Sequence, residues 1–141
     1  MSKPLILELK EKVQRSIVTA TSSEAIDPIG EFTKINLDNC NITGNKLTAS
    51  NGGIKIGEGV SKVLVSAQGT PVQRNSAINL AIYVNDEQKA RSVTNGDVQA
   101  TVLISNKLID VKENDIVYLY YWSTTESFSP TLTWLTVEAI N

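Results

Sequence analysis

The stretch Gln99–Trp122, QATVLISNKLIDVKENDIVYLYYW, decides the fold class. Ala100–Ser105 and Ile116–Trp122 alternate in the period of two that a β-strand imposes on its two faces. Between them Lys112–Asp115 is polar and carries Asn114-Asp115, residues that turn a chain readily because their side chains bond to nearby backbone. The second run is apolar on both sides: Val117, Leu119 and Tyr121 on one face, Tyr118, Tyr120 and Trp122 on the other. A strand apolar on both faces is covered on both. One face serves a core, and the other is left for a second layer or a partner surface.

The same pattern extends outward. Val60–Ala67 alternates with Val63 and Val65 on one side, Leu64 and Ser66 on the other. Ala77–Val84 places Ile78, Leu80 and Ile82 together, and Thr131–Ile140 reads as a closing strand. Shorter runs at Phe32–Leu37, Ile42–Ala49 and Ile54–Ile56 are separated by Gly44-Asn45 and Asn51-Gly52-Gly53. Gly57-Glu58-Gly59, Gly69-Thr70-Pro71, Asn85-Asp86-Glu87 and Asn95-Gly96-Asp97 punctuate the rest. Many short strands with turn signals between them, and no helical pattern following any, predict an all-β sandwich or jelly roll rather than an α/β fold.

Residues 4–19 stand apart. Leu5, Leu9, Val13 and Ile17 recur every four residues, the spacing of one side of a helix, and Glu8–Lys12 and Glu11–Arg15 pair favourably along it. A strand through Leu5, Leu7 and Leu9 is the competing reading. Ala20–Glu31 reads as a linker, so the chain divides into an N-terminal amphipathic helix and linker, 1–25, and a β-domain, 26–141.

Composition narrows the chemistry. With 141 residues, 41% hydrophobic and 20% charged, the chain can form one domain with its own core. Its net charge of −2 offers no basic field for a nucleic-acid backbone. No stretch approaches the roughly 20 apolar residues that span a bilayer as a helix, and MSKPLILELKEK does not read as a leader. Histidine is absent, which removes the usual triads and the commonest metal ligand. Cys40 is the single cysteine and reads as a free thiol, with a bridge between two chains as the alternative.

The β-domain resembles the tumour-necrosis-factor and complement-C1q family of jelly rolls. The resemblance rests on Gly57-Glu58-Gly59-Val60 leading into Lys62–Ala67, on Ala81–Asn85, on Leu108–Leu119 against that family's L-x-x-G-D-x-V-x-L passage, and on Thr131–Val137. Asn114 stands where that family has Gly, and Asn tolerates the left-handed backbone the turn needs. Val60-Ser61-Lys62-Val63 replaces the family's G-x-Y-x-F, and no Gly-X-Y stalk precedes the domain. The opening Lys3-Pro4-Leu5 and helix resemble small virion proteins of tailed bacteriophages that begin with an anchoring helix. The resemblance implies a TNF/C1q-like jelly roll assembled as a homotrimer, with inner sheets packed around a three-fold axis.

Candidate core or axis residues are accordingly Val63, Val65, Val102, Ile104, Tyr118, Tyr120, Trp122 and Trp134. Leu5, Leu9, Val13 and Ile17 are the expected particle anchor. The loop Ser123–Pro130 sets Phe128 among hydroxyls, which makes Phe128, with Trp122, a candidate glycan contact; the competing reading tucks Phe128 under its own loop. Asp86, Glu87, Asp97, Glu113, Asp115 and Glu126 sit mostly at turns and form no calcium-loop spacing. The expectation is a non-enzymatic virion protein with no cofactor, bound through its helix to a phage capsid or tail protein. It would be displayed as a capsid decoration or head fibre, or would recognise a host surface glycan. No nucleic-acid or membrane partner is expected. The alternatives are a monomeric carbohydrate-binding module of a bacterial enzyme or adhesin, and a small β-sandwich hydrolase.

Overall fold

The computed structural model describes residues 15–23, 31–69, 78–93, 101–123 and 133–140. Among them are eleven strands: β1 (Ile17–Thr21), β2 (Thr33–Lys34), β3 (Asn39–Thr43), β4 (Leu47–Ser50), β5 (Gly53–Ile56), β6 (Lys62–Gly69), β7 (Ile78–Val84), β8 (Glu87–Val93), β9 (Val102–Asp110), β10 (Ile116–Ser123) and β11 (Trp134–Ile140). They form two antiparallel sheets, one ordered β3-β1-β11-β6-β9 and the other β4-β5-β10-β7-β8, with β2 beside β10. The fold is an all-β jelly roll, as expected, and the described residues contain no helix.

Alternation builds the core. Val63, Val65 and Ala67 of β6, Leu135 and Val137 of β11, and Val18 and Ala20 of β1 point from the first sheet into the interior with no exposure. Val117, Leu119 and Tyr121 of β10 and Ile78, Leu80 and Ile82 of β7 meet them from the second, equally enclosed. Val102 and Ile104 of β9 join the same cluster. Each Val, Leu and Ile among them contributes about 1.5–3 kcal/mol by leaving water.

Turns close where Asn and Gly stand. Asn51, Asn85 and Asn114 have positive φ at such turns, the last at 73°. That is the left-handed conformation that Asn tolerates better than other non-glycine residues. The turn at Asn114 is locked by Asp115, whose carboxylate accepts from Asn85 Nδ2 and from the Lys112 backbone, both at 3.0 Å. Asn85 Oδ1 in turn accepts from the Ile116 amide.

The structure differs from the sequence reading in four places, one of them the strand expected over Ala100–Ser105, which is β9 and runs on to Asp110. The expected helix over 4–19 does not run through Ile17–Thr19, because Ile17–Thr21 is strand β1, paired with β11 on one side and β3 on the other. Ile17, Val18 and Thr19 are all β-branched, stiff at χ1 and better placed on a pleat. Leu5, Leu9 and Val13 lie outside the described residues. Phe32–Leu37 contributes only the two-residue β2. Ile35 still donates to Leu119 O, but Leu37 donates to Gly52 O, so the backbone leaves β10 for the neighbouring turn. The polar run Glu87–Val93 is the edge strand β8, which the sequence reading passed over.

Candidate functional site

The outer face of the β3-β1-β11-β6-β9 sheet carries apolar side chains among polar ones. Cross-strand register aligns Ile17, Glu138, Leu64 and Leu108 in one row and Trp134, Gln68 and Leu103 in another. Leu103 is 48% exposed and Leu108 53%. They share a face because of a bulge. Ser105 and Asn106 together oppose Ser66, which reverses the alternation of β9 between the two leucines. Asn106 takes φ 49° and donates its amide to Ser66 Oγ at 2.9 Å. Arg15 pairs with Glu138 of this face at 3.5 Å.

The outer face of the other sheet is aromatic. Tyr118, Tyr120 and Trp122 project from β10, Tyr83 from β7, and Phe32 precedes β2; all five are half-buried. The Tyr83 and Tyr120 rings lie 4.1 Å apart between centroids, tilted by 32°, and Phe32 meets Tyr83 edge-on at 6.5 Å. Lys34 Nζ sits 4.5 Å above the Tyr118 ring, and the Arg91 guanidinium 5.4 Å from that of Phe32. Arg91 is held from below: its Nε and Nη2 donate to the buried Asn79 Oδ1 at 3.1 and 2.6 Å. Burial, with Tyr83, Asp86 and Tyr118 adding to it, pushes the Tyr120 hydroxyl's pKa up, so it stays protonated as a donor.

Gly53 makes the Tyr118 position possible. A Cβ there would stand 2.6 Å from Val117 O, 2.7 Å from Tyr118 Cδ1 and 2.8 Å from Ile116 Cγ2. Gly53→Val is therefore expected to push β5 off β10 and to cost about 1–3 kcal/mol of overpacking. A lower denaturant midpoint for the variant checks this, and an unchanged midpoint refutes it.

The flagged carboxylates are structurally occupied or exposed singly. A shallow cleft of about 400 Å³ lies at one end of the sandwich, lined in part by Glu87, Asp110 and Asp115. Glu87 pairs with Lys89, Asp110 with Lys62, and Asp115 holds its turn. Lys62 keeps the Asp110 carboxyl below the usual range. Among the described residues no group of three His, Cys, Asp or Glu side chains is placed to hold a metal. Asp97, Glu126 and Phe128 lie outside the described residues. Cys40 is half-buried, and burial with nearby Asp38 raises its thiol pKa, which favours the protonated thiol.

Val63, Val65, Val102 and Ile104 are thus in the intersheet core, Trp134 on the outer face of the first sheet, and Tyr118, Tyr120 and Trp122 on the outer face of the second. Sequence reasoning missed Leu103, Leu108, Tyr83 and Phe32, which join these faces only through register and bulge.

The architecture defines a TNF-like jelly roll. Murine APRIL, a TNF-family member, superposes with a TM-score of 0.68 at 12% identity over 90% of this chain and 100% of that one. The PRD1 vertex protein P5 does so with 0.67 at 15%, over 91% of this chain and 97% of the other. GITRL from bushbaby, also of the TNF family, gives 0.58 at 12%, over 90% and 95%. No protein-family model matches the sequence, and no curated protein does.

Proposed function

We propose that the chain is a non-enzymatic structural protein of a phage particle, a trimeric jelly-roll head displayed as a decoration or host-attachment element. In this reading three copies pack the outer faces of the β3-β1-β11-β6-β9 sheet around a common axis. Residues 1–14, with Leu5, Leu9 and Val13, tie the head to a capsid or tail protein, and β1 belongs to the head. The observation that carries it is the pair Leu103 and Leu108, exposed on one face beside the half-buried Leu64 and Trp134. Leu64 and Leu108 are cross-strand neighbours, and large apolar side chains left exposed together on a sheet face suit an interaction surface. Placement on a particle is supported by the likeness to a vertex protein. Three copies also give weak surface contacts avidity on a repetitive target.

Light scattering on a sizing column tests the reading. The full chain is expected at three times its 15.3 kDa. A mass of one chain at micromolar concentration would overturn it.

A further inference from the structure

The aromatic face of the β4-β5-β10-β7-β8 sheet is not used by the packing proposed above, and it carries a recognisable chemistry. We propose that it is a binding platform for an acidic polysaccharide, one whose pyranose rings bear carboxylates. The proposal deepens the host-attachment part of the reading above and rests on it for its biological setting.

A pyranose ring has a flat face of C–H groups and a rim of hydroxyls. An aromatic ring held rigidly by its neighbours matches the face, and donors held at its edge match the rim. Tyr83 and Tyr120 are fixed by mutual stacking at 4.1 Å, and Phe32 closes on Tyr83. Tyr118 and Trp122 extend the row along β10, two residues either side of Tyr120, about 7 Å in each direction at a strand's rise of 3.2–3.4 Å per residue. Rings spaced this way along a strand suit successive sugars of a chain. Arg91 is a pre-set donor: two of its N–H groups are committed to Asn79, and a planar guanidinium carries five.

Charge selects the acidic class. Lys55, Lys34 and Arg91 occupy outward positions of β5, β2 and β8, aligned respectively with Ile116, Tyr120 and Ala81. The outward positions of β7 and β10 hold Asn79, Ala81, Tyr83, Ile116, Tyr118, Tyr120 and Trp122, none of them acidic. The face is therefore cationic on a chain whose net charge is −2. Rings for the sugar, and three cations against the nearby carboxylate of Asp86 that acts on Tyr120, fit a uronate polymer better than a neutral one.

The test is affinity electrophoresis of the full chain through native gels containing polygalacturonate, dextran or neither. Retardation by polygalacturonate, weaker or absent with dextran, is expected. Tyr120→Ala and Tyr83→Ala should each weaken the apparent dissociation constant at least tenfold while leaving the solution mass unchanged. Lys34→Gln combined with Lys55→Gln should keep the rings and lose the preference for polygalacturonate over dextran. Equal migration of the wild type in all three gels overturns the proposal. So does undiminished retardation of Tyr120→Ala, or a changed mass in the ring variants, which would make this face a contact between copies. Retardation of a single-copy species supports this site while refuting the trimer, and an unretarded trimer does the reverse.

Discussion

A chain beginning at residue 26 is expected to fail to fold, while one beginning at residue 15 keeps the sandwich. β1 is an interior strand: Ile17–Ala20 pair with Leu135–Glu138 of β11, and Ile17–Thr21 pair with Asn39–Thr43 of β3. Removing it breaks two backbone ladders and strips Val18 and Ala20 from the core. Ser16 is lost as well, with its carbonyl bond from the Ala139 amide and its hydroxyl bond from the Lys46 amide. Ser23, whose amide and hydroxyl bond to Asp38, also goes. Val18 alone is worth about 1.5–3 kcal/mol of burial. Each lost backbone bond adds about 0.5–1.5 kcal/mol. A domain holds only about 5–15 kcal/mol in all, so the loss is comparable with its whole stability. β3 would also be left without its partner, and β11 would become an unprotected edge. Circular dichroism and denaturant titration of the two truncations check this. A cooperative transition for 26–141 at the midpoint of 15–141 would make β1 dispensable.

That truncation marks where sequence reasoning stopped short. The strands with strict alternation and β-branched or aromatic content, β6, β7, β10 and β11, were legible because both their faces are specified by composition. β1 was not. Its Val18 and Ala20 face inward alternately, but Ile17 also continues the four-residue spacing from Leu5, and five residues are too few to separate the two periods. β8 was hidden because it is an edge strand with a polar sequence, held by its hairpin to β7 rather than by apolar content. The β9 bulge hid the second half of that strand. Strict alternation puts Leu103 and Leu108 on opposite sides, whereas the extra residue at Ser105-Asn106 puts them together. The aromatic face was half-legible: Tyr118, Tyr120 and Trp122 follow from one strand, but Tyr83, Phe32 and the Arg91–Asn79 bonds depend on strand order, which no local pattern encodes.

Trp134→Asp is expected to reduce the solution mass to that of one chain while the jelly roll persists. Trp134 lies on β11 opposite Gln68, with Leu103 beyond it, on the outer face of its sheet and outside the core cluster. In a single copy its replacement costs only cross-strand packing, about 0.2–1 kcal/mol. In the proposed assembly the same carboxylate enters a surface closed against another copy and meets its symmetry mates near the axis. An unpaired charge taken out of water there costs several kcal/mol per copy, three times over. The neighbouring residue supplies the control. Leu135 points the other way, into the core, with no exposure, so Leu135→Asp should unfold the chain rather than dissociate it. Light scattering and circular dichroism on the pair separate the two effects. A folded Trp134→Asp variant with the wild-type mass would remove this face from any interface, and a Leu135→Asp variant that merely dissociated would invert the assignment of the two faces of β11.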